Sequence, residues 1–266
     1  MKKVFLLAVI LLSSVIYQAC NTVPITGRKQ VSLLAEQDLI GMSLTSYSDF
    51  MSAHKKSDNI TESRMVQEVG ANISNAVKSF LESKGKSKLL EGYQWEYNLV
   101  EDPTPNAWCM PGGKIVVYTG ILPYTKDAAG LAVVMGHEVA HAVARHGNER
   151  MSQQIILQYG ASALSTFIND KPQETQALYQ MAYGLGAQYG VMLPYSRTHE
   201  TEADKMGLVF MAIAGYNPQT AVEFWERMSK SGGQKPLEIM STHPSDETRI
   251  QNLKDFMPEA MKYYKK

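Results

Sequence analysis

Cysteine is nearly missing: Cys20 and Cys109 are the only two in 266 residues. A dense disulfide framework is therefore excluded, and a packed core must hold the fold. Net charge is missing too, since 26 basic and 26 acidic residues give +0. Nucleic-acid binders normally carry a basic face, so that class is set aside. No internal repeat is visible. After the first twenty residues, no apolar run reaches the roughly 20 residues of a clean membrane span. The nearest approach, Ile155 to Val191, is interrupted by polar and charged residues. What is present is 44% hydrophobic residues, enough to bury a sizeable core.

The first residues stand apart. Lys2 and Lys3 precede an apolar stretch, Val4 to Tyr17, that is short for a span and suits a secretory h-region. It ends at Tyr17-Gln18-Ala19-Cys20, which resembles a bacterial lipobox, with Tyr17 in the usual aliphatic position. The expectation is a signal peptide over 1–19, lipidation at Cys20, a tether over 20–30 and one catalytic domain over 31–266. An acylated Cys20 would leave Cys109 without an intramolecular partner. Because the surface is neutral, attachment to a membrane falls to the lipid anchor. The expected location is a bacterial cell envelope, on the outer membrane facing the periplasm.

Apolar residues at helical spacing predict helices over Ser32–Phe50 and Ile60–Ser83. Strands are predicted over Tyr93–Val100, Asn106–Met110 and Lys114–Thr119, with Pro111-Gly112-Gly113 as a turn, forming a small antiparallel sheet. Asp127 can cap a helix running to about Glu149. Two helices follow within Ile155–Tyr195, then one over Arg197–Ala214 that stops at Gly215, and one over Pro218–Lys230. A last helix follows Ser245 and ends before Pro258. Helices, a small sheet and more helices define an α+β class, mostly helical, with the sheet beside the central helix.

That central helix carries GHEVAH, residues 136–141. His137 and His141 are one turn apart on one face, so two neutral imidazoles can hold one Zn2+. Glu138 lies off that axis and can reach a water without binding the metal, the placement of a general base. Short HExxH matches also arise by chance. Here, however, the flanks Leu131 to Met135 and Val139 to Val143 are apolar nearly all round. A buried His-Glu-His without a cation would strand a carboxylate in low dielectric at several kcal/mol. The context favours a metal.

A catalytic zinc needs a third protein ligand. His146 is five residues past His141, roughly 140° further round, and faces away. The better source is SRTHETEADKMG, residues 196–207, where Glu200 and Asp204 share a helix face. Glu200 would ligate, and Asp204 would hold a ligating histidine by hydrogen bond. Acidic residues also favour solvated first turns, but this helix runs on into Leu208, Val209, Phe210, Met211 and Ile213, a core sequence.

PNAWCMPGGKIVVYTG, GHEVAHAVARHG, SRTHETEAD with Glu200 placed 59 residues after His141, and THPSDETRI occur in this order. Together they resemble the HtpX and CAAX prenyl endopeptidase-like family of zinc metallopeptidases, a gluzincin group. The likeness is greatest to its bacterial lipoprotein members, such as LoiP and BepA, and to its Oma-type proteases. The resemblance implies one Zn2+ per chain on His137, His141 and Glu200, Glu138 as base and proton shuttle, and Asp204 behind the ligands. His243 is a candidate oxyanion donor, or a ligand that fills the open metal position and keeps the enzyme latent, or a helix-entry histidine that packs. The strand residues Asn106, Ala107 and Trp108 could pair with an extended peptide, or form a plain hairpin. The implied activity is endopeptidase cleavage of unfolded or misassembled envelope proteins. A metal-stabilised assembly factor with little proteolysis is the other reading. Oligomeric state is left open.

Overall fold

A computed structural model describes residues 20–188, 192–231, 239, 243 and 247–265. The expected signal peptide over 1–19 and the start of the last helix at Ser245 lie outside these residues. In chain order the elements are β1 (Cys20–Thr22), β2 (Lys29–Val31), α1 (Glu36–Ala53), α2 (Ile60–Ser83), β3 (Glu96–Val100), β4 (Ala107–Met110), β5 (Lys114–Tyr118) and α3 (Ala128–Val143). They continue with α4 (His146–Ile168), α5 (Gln173–Ala187), α6 (Leu193–Ile213), α7 (Thr220–Ser231) and α8 (Glu247–Met261). The mostly helical α+β class expected from the sequence is what forms.

The chain divides into two compact units. The smaller comprises residues 20–23, 27–35 and 145–199 among those described; the larger comprises 24–26, 36–144 and 200–265. In the smaller unit the segment expected to be a tether is a hairpin. Cys20–Thr22 pairs antiparallel with Lys29–Val31, and Val23 donates its N–H to Arg28 O at 2.9 Å. Its register is closed by a turn in which Gly27 has a φ of 71°. The side chain of Cys20 is outside what is described. Arg28 forks onto Glu149 with bonds of 2.8 and 2.6 Å, and His199 Nε2 lies 2.8 Å from Glu149 Oε2. His146 stacks on His199 with 4.3 Å between ring centroids. Burial alone would push the Glu149 carboxyl up, but its bonds to Arg28 and His199 win and lower its pKa to about 2.

In the larger unit, α2 buries Val66, Val69, Ile73, Val77, Phe80 and Leu81, a stripe at helical spacing, and α3 packs against it. Asp127 caps α3 by accepting from Gly130 N at 2.8 Å. The helix ends at Val143, short of the expected Glu149, because Arg145 takes a left-handed conformation with φ 58° and a new helix starts at His146. The sheet has the order β3-β5-β4. β4 and β5 form the expected antiparallel hairpin, but β3 joins β5 in parallel. Pro103 and Pro105 lack the N–H groups for a tight β3–β4 hairpin, while Gly112 and Gly113 turn sharply with φ of 89° and 85°. β5 is thereby inserted between its predecessors. The last helix runs through Pro258 instead of stopping before it. Pro258 and Lys254, whose carbonyl loses its donor, are both exposed, so water can replace the missing bond.

One close approach positions everything that follows. A Cβ placed on Gly207 of α6 would lie 3.0 Å from His137 N and 3.1 Å from Gly136 C of α3. One on Gly136 would lie 3.2 Å from Gly207 O. The two helices cross backbone to backbone, and a Cβ at either point would have to push the other helix back by a few tenths of an ångström.

Gly207→Ala should therefore cost about 1–3 kcal/mol through forced separation of the helices. Gly41→Ala, in a helix where an added Cβ meets nothing within 4 Å, should gain up to about 1 kcal/mol. Thermal unfolding of both variants checks the contrast. The depressed Glu149 pKa predicts a second effect. Its contribution to stability is present above the unfolded value of about 4.5 and is lost as pH falls towards about 2. Acid titration of Glu149→Gln should show lower stability at neutral pH, with the gap to the unsubstituted protein closing across that range.

Candidate metal centre

His137, Glu138 and His141 come from α3, Glu200 and Asp204 from α6, Arg249 from α8, and His243 from the chain before α8. All belong to the larger unit. His137, His141, Glu200 and His243 each offer one ligand atom, and these atoms lie within 4.8 Å of one another. His137 Nε2 is 3.1 Å from His141 Nε2 and 3.3 Å from Glu200 Oε2. His141 Nε2 is 3.3 Å from Glu200 Oε1, and His243 Nδ1 is 3.1 Å from His137 Nε2.

The donor set fits a zinc ion. Metal–ligand arms of about 2.0–2.1 Å give tetrahedral ligand–ligand edges of roughly 3.3–3.4 Å. The separations above run just at or inside that length. Two or three imidazoles with one carboxylate are also the donors that zinc prefers.

Electrostatics point the same way. Burial alone would push the His137 pKa down, yet hydrogen bonds to Asp204 and Glu200 raise it to about 9. Burial would raise Glu200, but bonds from His137, His141 and His243 hold it far below the ordinary carboxylate range. Asp204 behaves alike: the Arg249 charge and the His137 bond outweigh its burial and keep it ionised. The pocket thus holds anionic carboxylates that draw positive charge onto His137, a place for a cation.

Asp204 Oδ1 accepts from His137 Nδ1 at 2.9 Å, which turns the Nε2 lone pair towards the ligand group. Sequence reading missed what holds Asp204. Arg249 Nε and Nη2 both bond its carboxylate at 2.7 Å, a bidentate pair. The same guanidinium lies 3.5 Å over the Trp225 ring and donates from Nη1 to His243 O at 3.2 Å. Arg249 lies in the THPSDETRI stretch, so its signal was a single arginine six residues after His243.

Glu138 is buried, and among the described residues its Oε1 has no hydrogen-bond partner. His243 Nε2 lies 3.4 Å away, beyond good bonding geometry. Of the strand residues, Ala107 is buried. Trp108 is taken up by packing on Tyr47 and Phe50, with an indole bond to Tyr118 Oη at 3.3 Å. Asn106 Oδ1 accepts from Ala107 N at 2.9 Å. Their side chains serve the fold, and β4 is an edge strand among the described residues. Burial and the neighbouring Glu138 charge hold the Cys109 thiol protonated, so it is no nucleophile.

An HExxH helix crossed by a helix bearing a glutamate ligand and its aspartate support is the metal centre of a metallopeptidase-type domain. The description "Peptidase family M48" matches residues 68–257, and the chain belongs to that family. It is 39% identical over 190 residues to "Mitochondrial metalloendopeptidase OMA1" of Schizosaccharomyces pombe, covering 71% of this chain and 53% of that protein. It is 32% identical over 249 residues to the human "Metalloendopeptidase OMA1, mitochondrial", covering 90% of this chain and 46% of that one. A bacterial likeness, to the "Beta-barrel assembly-enhancing protease" of Escherichia coli (strain K12), is 27% over 165 residues, or 59% of this chain and 33% of that protein. The chain spans about half the length of the curated OMA1 relatives it matches. These relatives overturn the expected location on a bacterial outer membrane: proteins named for the mitochondrion, from yeasts, a plant and animals, match at the higher identities. The lipobox-like Tyr17–Cys20 is a short pattern and does not outweigh them.

Asp204→Asn or Arg249→Lys should weaken zinc binding by about 10–100-fold, the usual loss when the partner of a ligating histidine is disturbed. Competitive chelator titration measures it. Unchanged affinity in both would show that the Arg249–Asp204 pair is only structural.

Proposed function

We propose that this chain is a zinc-dependent endopeptidase that cuts unfolded or misassembled polypeptide. One observation carries the reading: four candidate ligand atoms converge within 4.8 Å beside a buried carboxylate oxygen that no donor among the described residues satisfies. A purely structural metal site has no use for that carboxylate and pays its desolvation cost without return. The assembly-factor alternative therefore has no feature in its favour.

Zinc held by His137, His141 and Glu200 would act as a Lewis acid, polarising the scissile carbonyl and acidifying water. Glu138 accepts the proton of the attacking water through Oε1. The water oxygen bonds to the carbonyl carbon, the carbon–nitrogen bond breaks, and Glu138 hands its proton to the leaving amine. The main chain of β4 offers its N–H and C=O groups to an extended substrate. Such pairing reads backbone rather than side chains, which suits unfolded chains of varied sequence.

His243 decides access. Its Nδ1 sits 3.0 Å from Glu200 Oε2 and 3.1 Å from His137 Nε2, inside the ligand group. Of the two functional roles expected for it, this supports the latent one: His243 takes the position that water and substrate need and must leave before cleavage.

Glu138→Gln should keep zinc and lose cleavage of unfolded casein by about 10²–10⁴-fold. If neither the unsubstituted chain nor its His243→Ala variant cuts denatured protein when loaded with zinc, the peptidase reading fails. His243→Ala should raise the cleavage rate. A loss of rate with zinc retained would make it an oxyanion donor instead.

A further inference from the structure

We propose that the α4–α5 hairpin is a lipid-facing surface that seats the smaller unit against a membrane. The hairpin is apolar where a soluble helix pair is charged. From Met151 to Ser196 only Asp170, Lys171 and Glu174 carry charge, against 20% for the whole chain, and all three cluster at the connection between the helices. Large apolar side chains stand in the open: Tyr159 is 74% exposed, Phe167 75%, Leu178 66% and Met181 63%, with Ile156 and Leu185 half exposed. No residue of α5 is buried, and α4 buries none between Gln153 and Ile168.

A second copy of the chain is the competing occupant. A helix seam between two copies is a narrow stripe flanked by charged positions that fix register. Here the apolar positions Ile155, Ile156, Leu157, Tyr159, Leu164 and Phe167 spread over about 200° of α4 at 100° per residue. The flanks offer glutamine, serine and threonine but no charge. Broad apolar cover without charge is the pattern of a helix in contact with lipid. Exposed tyrosines are also suited to the boundary between acyl chains and headgroups. The described chain begins at Cys20 with β1, in the same unit as the hairpin, while the metal centre belongs to the other unit. No helix among the described residues is long and apolar enough to cross a membrane, and the proposal is of a helix pair lying on one. With one lysine and two acidic residues in the hairpin, attraction to anionic lipid plays no part.

Hydrogen exchange of the full chain, with and without phosphatidylcholine vesicles, tests this residue range by residue range. Amides of residues 155–167 and 178–185 should exchange several-fold more slowly on the vesicles, and those of α2 should not change. Phe167→Gln, Leu178→Gln and Met181→Gln together should abolish that protection, even where the leader still carries the protein to the vesicle. Because these side chains are exposed, the thermal midpoint should hold, and zinc binding should be unaffected whether or not the peptidase reading stands. Vesicle-bound protein with no change in the hairpin overturns the proposal. So does protection that appears without lipid and rises with protein concentration, for then sedimentation would show a dimer and the face would belong to a second copy.

Discussion

Everything at the metal centre depends on how closely α3 and α6 approach at Gly136 and Gly207. One helix carries His137, Glu138 and His141, and the other carries Glu200 and Asp204. Their side chains are short, so the helix axes must lie near enough for imidazole and carboxylate to share one ion. With a Cβ at Gly207 only 3.0 Å from a backbone nitrogen, no other residue fits without moving a helix. The crossing point falls immediately beside His137, where a small displacement moves a ligand directly.

The second constraint is charge. Glu138, Glu200 and Asp204 are buried together, and bare carboxylates in such a place are costly. Arg249 answers one of them in a planar fork, with Trp225 covering the face of the guanidinium. The histidines answer another, Glu200, by hydrogen bonds. Among the described residues Glu138 Oε1 is left without a donor. The unevenness is informative, because structural carboxylates are satisfied by neighbours, and the proposed role of Glu138 as a base requires a carboxylate free to take a proton.

Much of this was legible in the sequence, since the motifs are local. GHEVAH encodes its geometry through helical period, and Glu200 and Asp204 repeat it four residues apart. Asp127 as a cap and Gly215 as a helix end are likewise near-neighbour chemistry. Hidden features required contacts between distant residues. Arg249 meets Asp204 across 45 positions and His243 only through a backbone carbonyl, so no periodicity marked it. Insertion of β5 between β3 and β4 depends on which neighbour each strand edge finds, and alternation within a strand does not say. His146 appeared to be a surplus histidine on one long helix. The left-handed turn at Arg145 instead starts a new helix with it, and it stacks on His199. Lipobox reading erred in the opposite direction, by letting a few residues speak for the location of the whole chain.

Among its contacts, Arg249 joins the carboxylate that orients His137 to the carbonyl of His243 with one planar group. If His243 gates the site as proposed, ion retention and access to the ion are not independent quantities in this protein. Thermodynamic reciprocity requires that, if shifting His243 weakens the grip on Asp204, a tighter grip on Asp204 resists the shift by the same free energy. A lineage cannot freely trade a firmer hold on the metal for a more readily opened site; a substitution at this arginine changes both at once.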